Sequence, residues 1–211
     1  MTQIDRAATR RRPDGPSAGV LATVCLVLTL ASVLIPPLFG DSAGLTGFLV
    51  FGASVPLGIY TATVYARLLR LGVRVPGPAI GFFGGIAASV LLSLSGLLTW
   101  VLGQSLPAQS EALVRTVELV AFALGGVGFV GGLGLLIAGI AVPALILRLT
   151  PRWLAWAGLV IAALAELSFF AMIAPALTFL LPACRFLGLA WILVAGFLLP
   201  HTRHRERPQE D

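Results

Sequence analysis

The stretch Arg148-Leu149-Thr150-Pro151-Arg152-Trp153-Leu154-Ala155-Trp156 decides how the chain is read, because two arginines and a proline interrupt two long apolar runs there. Upstream, no charge falls between Glu118 and Arg148; downstream, Glu166 alone breaks the apolar run from Trp153 to Cys184. Runs of this length are bilayer-spanning helices, since backbone in hydrocarbon must hydrogen-bond to itself. Pro151 is expected to end the first helix, and Trp153 and Trp156 fall where indole rings favour the membrane–water boundary.

The whole chain has the same character. Of its 211 residues 58% are hydrophobic and 11% charged, and the mean hydropathy is +0.99; a water-soluble domain carries far more charge. The net charge of +5 would suit nucleic acid only on a folded basic module with interleaved aromatics, and here the charges flank apolar runs instead. The basic residues are all arginine. The two cysteines, Cys25 and Cys184, fall in or near different spans at opposite depths and read as small apolar fillers, not as a disulfide.

Working outward from the corner gives an all-α, polytopic membrane protein of six transmembrane helices with short loops. A basic tail covers residues 1–18. The bundle covers 19–200, with spans at about 19–35, 45–69, 79–102, 112–147, 153–174 and 183–200, and a basic tail covers 201–211. Pro36 and Pro37 close the first span, with Asp41 in the turn. Pro56 and Gly58 mark a bend in the second, and Gly77, Gly81 and Gly85 open the third at a spacing that lets a neighbour come close. Ser110 is a helix cap ahead of Glu111. The fourth span is too long for one crossing: the 30 steps from Glu118 to Arg148 cover ~45 Å at ~1.5 Å per residue, against a hydrocarbon core of ~30 Å. Either its outer end projects from the bilayer or it breaks in the glycine run 125–134.

Six spans put both tails on one side. Arg6, Arg10, Arg11, Arg12, Arg67, Arg70, Arg74, Arg148, Arg152, Arg203, Arg205 and Arg207 share that side, and Arg115 and Arg185 lie on the other. Twelve against two makes both tails cytoplasmic in a cell membrane, by the retention of arginine on the inner face. The arginine-only basic set and the mainly Leu, Ala, Gly and Val apolar set fit a GC-rich genome.

The signature Leu149-Thr-Pro-Arg152-Trp153-Leu-Ala-Trp156-Ala-Gly158-Leu, with Arg185-Phe-Leu-Gly188-Leu-Ala-Trp191-Ile-Leu-Val-Ala-Gly196, resembles domain-of-unknown-function family 4386. The likeness runs from about Leu133 to Pro200, roughly the last third of the chain. It implies a six-helix bacterial membrane protein, expected in the inner membrane, and assigns no activity and no catalytic or binding residue. Relatives tend to be acidic before the last helix, where this chain has Arg185.

The candidate functional residues are the charges within apolar sequence, which in lipid face a partner or a cavity. Glu166 lies 14 steps past Arg152, roughly 21 Å along a helix, and Arg185 lies 18 steps before Arg203, roughly 27 Å. The two are expected to pair as an intramembrane ion pair. Gly158, Ala162 and Ala165 form a small-residue stripe beside Glu166. On the fourth span Glu118, Ala121, Gly125, Gly128, Gly132, Leu135 and Gly139 step by threes and fours along a packing seam. Glu111, Arg115 and Glu118 are expected to form an interfacial cluster at its outer end.

Catalytic sets fail on inventory. Ser93-Leu-Ser95-Gly96 resembles the nucleophile turn of an intramembrane serine protease, but His201 and His204 are the only histidines and lie in the tail. No His, Cys and carboxylate cluster has metal-ligand spacing, and the glycines of 125–134 lack the Lys-Ser/Thr of a phosphate loop. The leading expectation is therefore a non-enzymatic structural or interaction protein without cofactor or metal, whose partners are the lipid bilayer and other membrane proteins or its own copies. The alternative is a small-solute or proton carrier that uses Glu166 with Arg185 as counter-ion.

Overall fold

The computed structural model describes residues 16–38, 43–104 and 110–200. The tail residues before and after these, with their arginines and histidines, and Asp41 lie outside the described residues. The described residues are mostly helical and contain no strand, and six helical stretches are long and apolar enough to cross a membrane. The elements are α1 (Ala18–Leu34), α2 (Ala43–Arg70), α3 (Gly77–Leu102), α4 (Glu111–Ala123), α5 (Phe129–Ile146), α6 (Arg152–Leu167) and α7 (Leu180–Leu198). Helices α4 and α5 form one 36-residue stretch, Glu111–Ile146, joined by a π turn at Leu124–Gly128.

The corners at the arginine-rich end, called the basic end below, are built alike. After α2, Gly72 adopts φ 79° and the Val73 N–H reaches back to the Leu68 carbonyl at 3.2 Å. After α5, Arg148 adopts φ 52° and the Leu149 N–H reaches the Ala144 carbonyl at 3.0 Å. Both are left-handed helix stops of the Schellman type, which satisfy carbonyls the helix leaves unpaired. Thus α5 ends at Ile146 because Arg148 turns left-handed, several residues ahead of Pro151. Pro151 instead precedes α6, where its missing N–H costs nothing. Likewise α7 starts at Leu180 with Pro182 in its first turn, so the last helix begins earlier than its prolines suggest. Pro56 sits inside a continuous α2.

Packing follows the small residues. Around the bundle the neighbours run α2, α3, α5, α6, α7, α1 and back to α2, with α5 also touching α7. Because lipid is as apolar as the side chains, helices associate through close van der Waals approach, and α3 carries glycines on two faces to allow it. A methyl on Gly132 of α5 would lie 2.8 Å from the Gly84 carbonyl and the Ala88 N–H of α3, and one on Gly81 would lie 3.2 Å from Gly139 Cα. On the other face a methyl at Gly96 would meet the backbone of Phe51, and Gly85 takes Thr61 of α2 against it. Of the opening glycines of α3, then, Gly77 and Gly81 serve α5 while Gly85 serves α2. On α6 the expected stripe faces inward: Gly158 lies under the Trp191 ring, and Ala165 lies beside Gly134.

Two long side chains tie α2 to α7. The Tyr60 hydroxyl donates to the Ile192 carbonyl at 2.9 Å. The Arg67 guanidinium, 5% exposed, donates to the carbonyls of Gly196 at 3.3 Å and Leu199 at 3.4 Å. These are carbonyls at the end of α7, where a cation also meets the negative end of the helix dipole.

Candidate functional site

Helix α4 departs from this packing. Ala121 is its one buried residue, and it packs mainly against α3 and the π turn. It thereby stands away from α1 and α7 and leaves a cleft at the end of the bundle opposite the corners, of about 960 Å³. The over-long fourth span is therefore unbroken: its pitch widens through the π turn, and its first half leans outward.

The walls are apolar. Phe122, Phe179, Phe186, Leu181 and Val130 line it, with Val33 and Val50 from the first two helices. Gly125 and Gly126 of the π turn form part of its lining, and Ser95, Thr99 and Thr178 supply hydroxyls. Ser95 is not an idle nucleophile: its hydroxyl donates to the Ala121 carbonyl at 2.8 Å, and the absence of a side chain at Gly125 lets α3 come that close. Gly128 sits beside Leu91 in the same α3 contact, so the seam Ala121, Gly125, Gly128, Gly132, Gly139 runs along α3 for its full length.

Among the described residues two charged side chains line the cleft, Glu118 and Arg185. Arg185 is partly buried, its guanidinium carbon lies 5.1 Å from the centroid of the Phe129 ring, and its Nε is buried without a hydrogen-bond partner. Phe129 is fully buried, which fixes the ring under the cation. Glu111, Arg115 and Glu118 are all exposed along α4; of the three, Glu118 borders the cleft.

The pairing expected of Glu166 with Arg185 is not formed. Glu166 lies exposed in the last turn of α6, with its Oε1 against Gly134, 2.9 Å from where a methyl there would stand. Arg185 lies against Phe129. Gly134 and Phe129 are five residues apart on α5, which places them roughly 140° apart around the helix and ~7.5 Å apart along it. Helix α5 therefore stands between the acid and the cation. Relative height could be reckoned from the sequence; azimuth about a shared neighbour could not.

Both cysteines are free and buried. Among the described residues no three His, Cys, Asp or Glu side chains gather in a metal-binding group. Sequence reasoning missed the aromatic wall and the inward role of Arg67. The excess length of the fourth span was the one signal of the cleft, and the position of Arg67 one turn before Arg70 was the signal that it lies deeper than its fellows.

An all-α bundle of six membrane-length helices with an apolar cleft, in which the buried Arg185 Nε has no partner among the described residues, defines the class: a multi-pass membrane protein with a candidate binding site in one half of its thickness. Comparison with known protein families, with curated proteins and with solved structures gives no match.

Proposed function

We propose that this chain is a non-enzymatic binding and interaction protein of a bacterial inner membrane, with both tails in the cytoplasm and the cleft toward the outer leaflet. On this reading the basic end is the cytoplasmic end, in keeping with the retention of arginine there. Membership of domain-of-unknown-function family 4386 is part of the same proposal, resting on the Pro-Arg-Trp-Leu corner and the residues around Trp191. The observation that carries the function is the cleft beside the π turn. At about 960 Å³ it has the size and the mainly apolar lining of small-molecule sites, which run ~300–1,000 Å³, and π turns recur at functional positions.

Gly126 supplies the test. A methyl there meets nothing closer than 3.5 Å, so Gly126→Ala is accommodated, whereas Gly126→Trp fills the cleft. Native mass spectrometry of protein released from membranes should show one apolar or amphipathic molecule retained by the wild type and Gly126→Ala and lost from Gly126→Trp. Identical adducts in all three would remove the reading.

A small-solute or proton carrier is the second reading, favoured by the same π turn. Glu166 would serve it without Arg185 as counter-ion. A pH-dependent leak in proteoliposomes that Glu166→Gln abolishes would move the conclusion to it.

A further inference from the structure

We propose that the cleft holds a single-chain amphipathic carboxylate of the long-chain fatty-acid class, with its carboxylate on Arg185 and its hydrocarbon along the phenylalanine wall. The inference rests on the reading of the cleft as a binding site and adds the chemistry of the occupant.

Charge comes first. Among the described residues, Arg185 and Glu118 are the charged ones lining the cleft, and they do not neutralise one another. Arg185 sits at Phe129, and Glu118 lies eleven residues earlier on the same continuous helix, ~16 Å along its axis. A guanidinium held among apolar walls with no acidic partner among the described residues is costly unless an anion meets it. One cation matches one negative charge, and the planar fork of arginine matches a carboxylate through two parallel hydrogen bonds. The guanidinium carbon lies over the Phe129 ring, and Nε has no hydrogen-bond partner among the described residues, so on this proposal it donates to the carboxylate.

Shape comes second. The cleft that Arg185 lines is walled by Phe179, Leu181, Phe186, Val130 and Phe122, a surface for a hydrocarbon chain and not for a small hydrated anion such as phosphate. A volume of about 960 Å³ lies at the upper end of sites for single small molecules, which favours one chain over a two-chain phospholipid. Access comes third. Because α4 packs mainly on α3 and the π turn while the lining comes from both α4 and α7, we take the gap between α4 and α7 as the route by which a lipid-dissolved amphiphile enters from the bilayer.

The test uses the full chain in phosphatidylcholine nanodiscs, with oleate, oleyl alcohol, oleylamine, inorganic phosphate and phosphatidylglycerol as probes. Oleate should raise the unfolding temperature in a saturable way and bind at least tenfold more tightly than the alcohol or the amine. Phosphate alone should give no shift, and phosphatidylglycerol should not displace oleate. Arg185→Gln should weaken oleate at least tenfold, with Arg185→Lys between the two. Without ligand, Arg185→Gln should lose no more than the contact with the Phe129 ring contributes, because the guanidinium has no hydrogen-bond acceptor among the described residues; a purely structural arginine would give a larger loss.

Equal binding of oleate and oleyl alcohol, or unchanged oleate affinity in Arg185→Gln, overturns the proposal. Tighter binding of phosphatidylglycerol or of phosphate overturns the assignment to a single-chain carboxylate. Should Arg185→Gln fail to fold, Gly126→Trp decides: it keeps the cation and fills the cleft, so oleate binding retained there overturns the proposal. A neutral molecule still held by the wild type, with no preference for oleate, would sink this inference and leave the cleft as a binding site.

Discussion

Arg148 carries a backbone conformation that an L side chain adopts at a cost of roughly 1 kcal/mol, at φ 52°. Gly72 does the same work in the matching corner at φ 79° without that cost. Arg148→Gly should therefore raise stability by up to about 1 kcal/mol, and Gly72→Ala should lower it by about the same amount. Thermal unfolding followed by fluorescence-detected size exclusion checks both, and a destabilised Arg148→Gly would mean that the side chain, not the turn, is what matters there. The sequence marked this corner through Pro151, yet the stop is set by Arg148. A proline signals where a helix cannot continue, while a left-handed residue other than glycine leaves no compositional trace.

At the scale of the element, the α3–α5 seam separates glycines that contact a neighbouring helix from those that do not. Gly139 abuts the Gly81 backbone and the Gly77 carbonyl, whereas Gly131 has open space around it. Gly139→Leu should push the helices apart and cost well over 2 kcal/mol by overpacking a backbone contact. Gly131→Ala should be neutral or should stabilise by up to about 1 kcal/mol through helix propensity. Folded yield and unfolding temperature compare them, and equal losses would argue against the seam. The run of threes and fours that places Gly125, Gly128, Gly132 and Gly139 on one stripe was legible because a helix repeats every 3.6 residues. The π turn in the middle of that stripe was not: it lies just after the carbonyl of Ala121 that takes the Ser95 hydroxyl, a contact from another helix that periodicity does not register.

At the scale of the molecule, Tyr60 and Arg67 join the second helix to the last across most of the chain. Tyr60→Phe should cost about 1 kcal/mol for the lost hydrogen bond, and Arg67→Met about 1.5–3 kcal/mol because a charged donor leaves the carbonyls at the end of α7. Equilibrium unfolding in mixed micelles checks both, with no change in either variant counting against the tie. Reporter fusions should place both termini on the cytoplasmic face; opposite faces would undo the orientation and the depth assigned to the cleft. By itself the sequence determined the all-helical class, the six apolar stretches and the clustering of arginine at one end, because hydrophobicity and charge act on each segment separately and need no neighbour. Tertiary packing alone decided that Glu166 and Arg185 lie on different sides of α5, that Arg67 turns inward, and that α4 leans away to open the cleft. Each of these depends on the direction a side chain faces about a shared helix, and that angle is set by which glycines let which backbones meet.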